Sequence, residues 1–156
     1  MTDASVLWKT GTNFTGKSVS GSELGLGSGR NDFRPMELLA IGLAGCTAMD
    51  VISILEKKRQ DVTAFEVTVH THRAEDHPKV FTRACIEYQV TGHAVEEEAV
   101  LRSIELSATR YCPAHAMFEK VFPIDLEYSI YEDRGDGKRE RIVGGSFVPS
   151  EQVENG

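Results

Sequence analysis

An uncharged, largely apolar run that follows Pro35 limits the possible folds of this chain most strongly. From Leu38 to Met49 no residue is charged, and apolar side chains occur all round a helical cylinder. Proline suits the first turn of a helix, and a helix that is apolar on every side is buried on every side. The run is too short to span a bilayer, and Asp50 interrupts it. The sequence therefore predicts a central core helix rather than a membrane span.

Alternation of apolar and polar residues predicts strands before and after this helix. The apolar positions are Val6 and Trp8, then Phe65, Val67 and Val69, then Val80, Ala84, Ile86, Tyr88 and Val90, and finally Ile124, Leu126, Tyr128 and Ile130. A second helix is expected to begin near Ala94, with a buried stripe of Val100, Leu101, Ile104 and Ala108. Pro113 starts a further short turn. The order β-β-helix-β-β-helix-β predicts an α+β fold with antiparallel strands covering a long helix.

The length of 156 residues favours one domain, which we expect over residues 1–131. From Glu132 the chain becomes charged and glycine-rich, so residues 132–156 are predicted to form an extended or mobile tail.

The glycine-rich segment from Gly21 to Arg34 is interpreted as a loop that approaches something closely. A phosphate cradle is the alternative, but the segment lacks the Gly-Lys-Ser/Thr ending of a P-loop.

The charge balance and the cysteine count limit the classes of partner and compartment. A net charge of −7 offers no basic field for nucleic acid, so no nucleic-acid partner is expected. The N-terminus has no cationic and apolar leader, which predicts a chain without a secretory signal. Three cysteines are an odd number for a disulfide framework. We therefore expect a cytoplasmic protein without a membrane partner, a metal or another cofactor.

Two cysteines lie in the predicted helical segments. Cys46 is inside the long helix, and Cys112 directly precedes Pro113 at a new helix start. Unpaired N–H groups at a helix start stabilise a thiolate, which predicts a reactive Cys112. The alternative for each cysteine is that of a small buried hydrophobic residue. The spacing of the two residues leaves open whether they meet.

Three segments carry a resemblance to a known family. They are Arg34–Leu39, Ala44–Asp50 and Ala108–Pro113. Over about residues 5 to 131 the chain resembles the OsmC/Ohr family, the osmotically inducible and organic-hydroperoxide-resistance proteins. The resemblance implies antiparallel sheets wrapped around long central helices in an intertwined homodimer. It also implies a thiol peroxidase for organic hydroperoxides, with Cys46 and Cys112 as its redox pair.

In the implied chemistry the two thiols have different roles. Cys46 would attack the peroxide and become a sulfenic acid, Cys112 would condense with it to a disulfide, and an external dithiol would reduce the pair. The family pattern also needs a cation held by a carboxylate. Here Met36 follows Pro35 and the acid is Glu37, and the N-terminal strands contain Lys9 and Lys17 but no arginine. Arg34 or Arg30 is therefore expected to supply the guanidinium.

Asp50, one turn after Cys46, would oppose thiolate formation if it faced the same pocket.

Two functional alternatives to the enzyme use the same fold. One is a dimer that binds a small molecule without turnover, and the other is a dimer whose disulfide senses redox state. The predicted site residues are Cys46, Cys112, Glu37 and Arg34.

Three further features are weighed against simpler interpretations. His70 and His72 share a strand face with Glu66 and could hold a metal with His77, but a solvated face is favoured. Cys85 is interpreted as a surface or edge thiol without a role. His115 follows Cys112 by three residues and either carries protons in the same pocket or only packs.

Overall fold

A computed structural model describes residues 3–150. In chain order its elements are β1 (Ala4–Thr10), β2 (Asn13–Ser18), β3 (Glu23–Leu26), α1 (Pro35–Lys57), β4 (Asp61–Arg73), β5 (Phe81–His93), α2 (Glu97–Leu106), a π-helical turn (Ser107–Tyr111), α3 (Pro113–Phe118), β6 (Ile124–Gly135) and β7 (Lys138–Phe147). They form two sheets, one ordered β1-β2-β3 and the other β4-β5-β6-β7. The predicted α+β class is confirmed.

The chain divides into two compact units, an N-terminal unit (Met1–Ile41) and a main unit (Gly42–Gly156). The N-terminal unit contains a β-hairpin, in which Trp8 of β1 pairs with Phe14 of β2. Gly11 turns the chain between these strands with a φ of 54°, a conformation that glycine adopts without strain. That residues 1–131 act as a single domain stays a prediction.

The glycine-rich segment differs in part from its prediction. Residues Glu23–Leu26 form β3, which pairs antiparallel with β2, instead of belonging to a loop. Beyond β3 the glycines do make room for a close approach. A Cβ atom at Gly25 or Gly29 would collide with the carboxylate of Asp32. The segment approaches the chain's own Asp32, and this contact accounts for two of its glycines.

The core of the main unit lies between its sheet and helices α1 and α2. Its buried residues are Leu43, Val51, Leu55, Ile86, Tyr88, Val90, Ala99, Val100, Ile104, Ala108, Leu126 and Ile130. The alternation predicted for β5 is confirmed, because Ala84, Ile86, Tyr88 and Val90 are all 0% exposed. Val80 precedes the strand and is exposed, and α2 begins at Glu97 rather than near Ala94. Both differences are shifts at the ends of elements.

Two predictions about the C-terminal half are wrong. Strands β5 and β6 pair in parallel, because α2, the π-helical turn and α3 form the crossover that a parallel pair requires. The expected tail from Glu132 is also largely absent, since β6 continues to Gly135 and β7 returns along it. Val143 and Phe147 of β7 pack against the core. The charged residues of this hairpin point to solvent, which explains why the composition resembled that of a tail.

Helix α1 is only partly covered by its own chain. Its buried residues are Leu43, Thr47, Val51 and Leu55, which follow one face. On other faces Leu39, Ile41 and Met49 are 44%, 50% and 74% exposed. By length and composition alone, α1 could cross a membrane, but a central helix of a soluble protein passes the same test. The prediction that α1 is buried on every side is therefore not met within one chain.

Candidate functional site

The main unit brings the two cysteines of the predicted pair together. Cys46 lies in α1 and is half-buried, whereas Cys112 immediately precedes α3 and is 2% exposed. The π-helical turn positions Cys112, whose backbone N–H donates to the carbonyl oxygen of Ser107 at 2.9 Å. The Cys112 thiol is close enough to Cys46 for each to influence the other's ionisation, and all three cysteines are free thiols. Two residues distant in sequence thus form one thiol pair.

Burial controls the protonation of Cys112. Together with the neighbouring Cys46 and the charge of Asp50, it raises the pKa of this thiol to about 12. Only the backbone N–H of His115, which donates to the Cys112 sulfur at 3.3 Å, lowers the pKa. The stabilisation of a thiolate that the sequence predicts at this helix start is therefore outweighed by burial. One N–H group does not compensate for the loss of water around the sulfur.

A chain of buried hydroxyl groups lies beside the thiols, and the sequence did not reveal it. Thr47 Oγ1 is 2.7 Å from the Tyr88 hydroxyl and 2.8 Å from Ser107 Oγ. Ser107 Oγ donates to Asp50 Oδ2 at 3.0 Å. The available signal was Tyr88 itself, because a tyrosine on the buried face of a strand needs a partner for its hydroxyl. The partners come from elements far away in sequence, so the pattern could not name them.

Arg34 and Glu37 form a pair at the start of α1. The Arg34 backbone N–H donates to Glu37 Oε2 at 3.0 Å, and the Arg34 guanidinium is 3.6 Å from Glu37 Oε1. A glutamate at the third helical position that reaches back to the capping residue stabilises a helix start. Both residues belong to the N-terminal unit, while Cys46 and Cys112 belong to the main unit. Of the other expected cations, Lys17 pairs with Glu23 at 2.5 Å.

His115 is buried without a hydrogen-bond partner. Its side chain is 1% exposed, and neither ring nitrogen has a partner among the described residues. Burial lowers the pKa of the imidazole, and the charge of Glu119, whose Oε2 lies 3.7 Å from Nε2, partly offsets this. The ring is therefore neutral at neutral pH. Its role as a proton carrier stays a prediction.

The remaining candidates lie on the outer face of the main sheet. His70 Nε2 is 3.5 Å from Glu87 Oε2, an ion pair when the histidine is protonated. Cys85 is half-buried on β5, an inner strand, so of the two predicted alternatives, a surface or an edge thiol, only the edge position is wrong. Burial and the nearby acids Glu127 and Asp125 raise the pKa of Cys85. Within residues 3–150, no group of three or more His, Cys, Asp and Glu side chains could hold a metal ion.

The sequence profile of OsmC-like proteins matches residues 27–127 of this chain. This range includes Arg34, Glu37, both cysteines of the pair and all four members of the hydroxyl chain. Protein YhfA from Escherichia coli K12 is 39% identical over 129 residues, which cover 81% of this chain and 96% of YhfA. The chain belongs to the OsmC-like protein family.

Two solved structures have a similar fold. An OsmC-like protein from Mycoplasma pneumoniae has a TM-score of 0.73 and 16% identity, covering 83% of this chain and 96% of its own. An organic hydroperoxide resistance protein from Elizabethkingia anophelis has a TM-score of 0.61 and 17% identity, covering 85% of this chain and 96% of its own. At these identities the similarity shows a shared fold.

Proposed function

We propose that this chain is a thiol-dependent peroxidase that reduces organic hydroperoxides. The observation that carries the proposal is a pair of free thiols, Cys46 and Cys112, close enough to influence each other's ionisation, in a member of the OsmC-like family. The organic hydroperoxide resistance protein of similar fold supports the choice of substrate class. The protonated state of Cys112 supports the division of roles, because a buried thiol with a pKa near 12 is a poor first nucleophile.

The first step oxidises Cys46. Its thiolate attacks the distal oxygen of the hydroperoxide, an S–O bond forms and the O–O bond breaks. The alkoxide that leaves takes up a proton and departs as an alcohol, and the sulfur becomes a sulfenic acid. Cys46 is half-buried, so its sulfur is partly accessible within one chain. In this proposal Glu37 holds Arg34 so that its cation favours the Cys46 thiolate.

The second step protects the oxidised sulfur. Cys112 attacks the sulfenic sulfur, the S–S bond forms, and hydroxide leaves with the thiol proton as water. An external dithiol then reduces the disulfide by exchange and returns both thiols. This proposal needs no cofactor, and it places the protein in the reducing cytoplasm.

The proposal includes a homodimer. The exposed side chains of Leu39, Ile41 and Met49 on α1 support it, since a single chain leaves much of this apolar helix uncovered. Val6, Leu7 and Trp8 of β1 are exposed as well, at 63%, 52% and 63%. A second copy of the chain is the partner that we propose for these surfaces.

The test is consumption of cumene hydroperoxide with dithiothreitol or dihydrolipoamide as the reductant. Cys46→Ser should abolish consumption, because no other thiol takes the first step. Cys112→Ser should allow one turnover followed by over-oxidation of Cys46, visible by mass spectrometry as added oxygen. Cys85→Ser is the matched control and should keep wild-type activity. Wild-type protein that consumes no hydroperoxide would exclude the enzyme, and binding or redox sensing by the same thiol pair would then be the function.

A further inference from the structure

Cys112 lies between two helical segments, where the helical geometry of the chain changes. The π-helical turn before it ends in a hydrogen bond from the Cys112 backbone N–H to the carbonyl oxygen of Ser107 at 2.9 Å. An α-helical hydrogen bond would end at the next residue, Ala108, instead. The additional residue in the turn rotates Cys112 by about 100° relative to a continued α-helix. The π-helical turn therefore sets the direction in which Cys112 leaves the helix.

Pro113 and the start of α3 restrain Cys112 from the other side. A proline disfavours helical backbone in the residue before it, and Cys112 has an extended backbone with a φ of −78° and a ψ of 105°. The Cys112 sulfur accepts a hydrogen bond from the His115 backbone N–H at 3.3 Å. Cys112 is thus restrained against α3, and its distance from α1 depends on what holds the π-helical turn.

The side chain of Ser107 joins the π-helical turn to α1. Its Oγ is 2.8 Å from Thr47 Oγ1 and donates to Asp50 Oδ2 at 3.0 Å. Thr47 and Asp50 are three residues apart in α1 and therefore lie on the same side of that helix. Ser107 is 0% exposed, so both hydrogen bonds are made away from water. One buried side chain thus connects the turn to two residues of α1.

The donor of each hydrogen bond around Ser107 follows from its neighbours. Ser107 has one hydroxyl hydrogen and donates it to the Asp50 carboxylate. Thr47 must therefore donate to Ser107, and Tyr88 must donate to Thr47 at 2.7 Å. Without the Ser107 hydroxyl, Thr47 would lose its acceptor and Asp50 its donor. Ser107 is therefore the one member of the hydroxyl chain that both accepts from α1 and donates to it.

Thr47 and Ser107 are each directly linked to one member of the thiol pair. Thr47 follows Cys46 in α1, and the Ser107 carbonyl oxygen accepts from the Cys112 backbone. The hydrogen bond between the two hydroxyl groups therefore joins the two elements that carry the thiols. Without it, the π-helical turn could move away from α1 while each element kept its own backbone hydrogen bonds.

We propose that Ser107 is a positioning residue for the second step of the reaction, because it holds Cys112 within disulfide-forming reach of Cys46. Its carbonyl oxygen fixes the Cys112 backbone, and its hydroxyl group fixes the π-helical turn to α1 through Thr47 and Asp50. Ser107 acts through Cys112 and takes no part in breaking or forming a covalent bond. Its contribution is that the two thiols meet without a search through other arrangements of the turn.

The inference rests on the thiol pair of the proposed function, and the experiment measures that pair without peroxide. Full-length protein carrying Cys85→Ser is equilibrated with mixtures of reduced and oxidised glutathione. One oxidised glutathione takes two electrons and both thiol protons from the pair, which leaves the Cys46–Cys112 disulfide and two reduced glutathione molecules. Acid quenching, alkylation and mass spectrometry then give the fraction of disulfide. The resulting equilibrium constant is the effective concentration of one thiol at the other.

Ser107→Ala should lower this equilibrium constant roughly tenfold, because the hydrogen bonds that hold the turn to α1 are lost. A purely structural role would destabilise both redox states equally and leave the constant unchanged. Ser103→Ala is the matched control, since Ser103 is also 0% exposed but donates to the Ala99 carbonyl oxygen of its own helix at 2.7 Å. It should keep the wild-type constant. An unchanged constant in Ser107→Ala, or an equal decrease in Ser103→Ala, would overturn the inference.

Thr47 tests the same connection from the side of α1. Thr47→Val keeps the shape of the side chain but removes the hydroxyl group and should lower the constant, whereas Thr47→Ser keeps the hydroxyl group and should restore it. A wild-type constant in Thr47→Val would also overturn the inference. A wild type whose disulfide depends on Ser107 but which consumes no hydroperoxide would exclude the peroxidase and leave the inference intact. A wild type that forms no disulfide at any glutathione ratio would overturn both.

Discussion

At the scale of single residues, burial is the main cause of the pKa shifts of three groups in the main unit, Cys112, Tyr88 and His115. Cys112 precedes a helix, yet the absence of water around its sulfur raises its pKa. Tyr88 shows the same effect, since burial raises the pKa of its hydroxyl although Thr47 is its hydrogen-bond partner. His115 shows it with the opposite sign, because burial disfavours the protonated imidazole. All three groups are therefore neutral at neutral pH.

Thr47 is expected to contribute more to stability through its hydroxyl than through its methyl group. Thr47→Val is close to isosteric but leaves the Tyr88 hydroxyl without its hydrogen-bond partner in the core. We expect a loss of about 1–3 kcal/mol in the free energy of unfolding, measured by urea denaturation at fixed protein concentration. Thr47→Ser should lose only about 1 kcal/mol, the cost of one buried methyl group. Thr47→Val with wild-type stability would contradict this assignment.

His115 is expected to make the protein acid-sensitive. The pKa of the imidazole is lowered from 6.5 in the folded state, so above pH 6.5 both states are neutral and the histidine has no effect on the pH dependence. Below that pH the unfolded chain binds the proton first, and stability falls as the pH falls. His115→Leu should reduce the loss of unfolding free energy between pH 7.5 and pH 5, two values that lie about one unit or more either side of an unperturbed histidine. His72→Gln, on the exposed sheet face, is the control and should leave the slope unchanged.

At the scale of elements, β7 shows why composition misled the prediction of a tail. The first four residues of the strand, 138–141, are all charged and exposed, and only its second half reaches the core. Val143 packs against the core, while its neighbour Ile142 is 56% exposed. A strand at the edge of a sheet tolerates such a charged outer face. The pairing with β6 therefore shows that this segment is a strand, which its composition alone does not indicate.

The two neighbours on β7 offer a matched test of this assignment. Val143→Ala should destabilise the protein by about 1–2 kcal/mol, because it removes two methyl groups from partly buried packing. Ile142→Ala should stay within about 0.5 kcal/mol of wild type, since its side chain faces solvent. Chemical denaturation of both variants measures the difference. Equal effects at the two positions would mean that the segment does not pack as a strand in solution.

At the scale of the whole molecule, α1 connects the site to the proposed assembly. The helix carries Cys46 and buries one face through Leu43 and Val51, but its Met49 side is open. Asp50 is adjacent to Met49 and, together with Lys57 and Tyr111, lines an open cavity on that side. A second chain that covered α1 would therefore also change the surroundings of Asp50. In this proposal α1 carries the reactive Cys46 and also forms part of the dimer interface.

The dimer is tested by light scattering and by unfolding at several protein concentrations. We expect a particle of twice the chain mass at micromolar concentration, with a melting temperature that rises with concentration. Ile41→Glu and Met49→Glu should shift the equilibrium to monomer, because a charge in a buried apolar contact is costly. Ile142→Glu, an equally exposed apolar position on β7, should remain dimeric. A wild-type monomer whose unfolding does not depend on concentration would exclude the dimer.

The sequence by itself determined those features that arise from neighbours along the chain. The apolar run after Pro35 specified α1, and alternation specified the buried face of β5, because helix and strand periods are local properties. The motifs around Cys46 and Cys112 identified the family. Tertiary structure alone decided the parallel pairing of β5 with β6, the proximity of the two thiols and the hydroxyl chain from Tyr88 to Asp50. Each of these joins residues far apart in sequence, and their energies depend on burial, which exists only once the chain has folded.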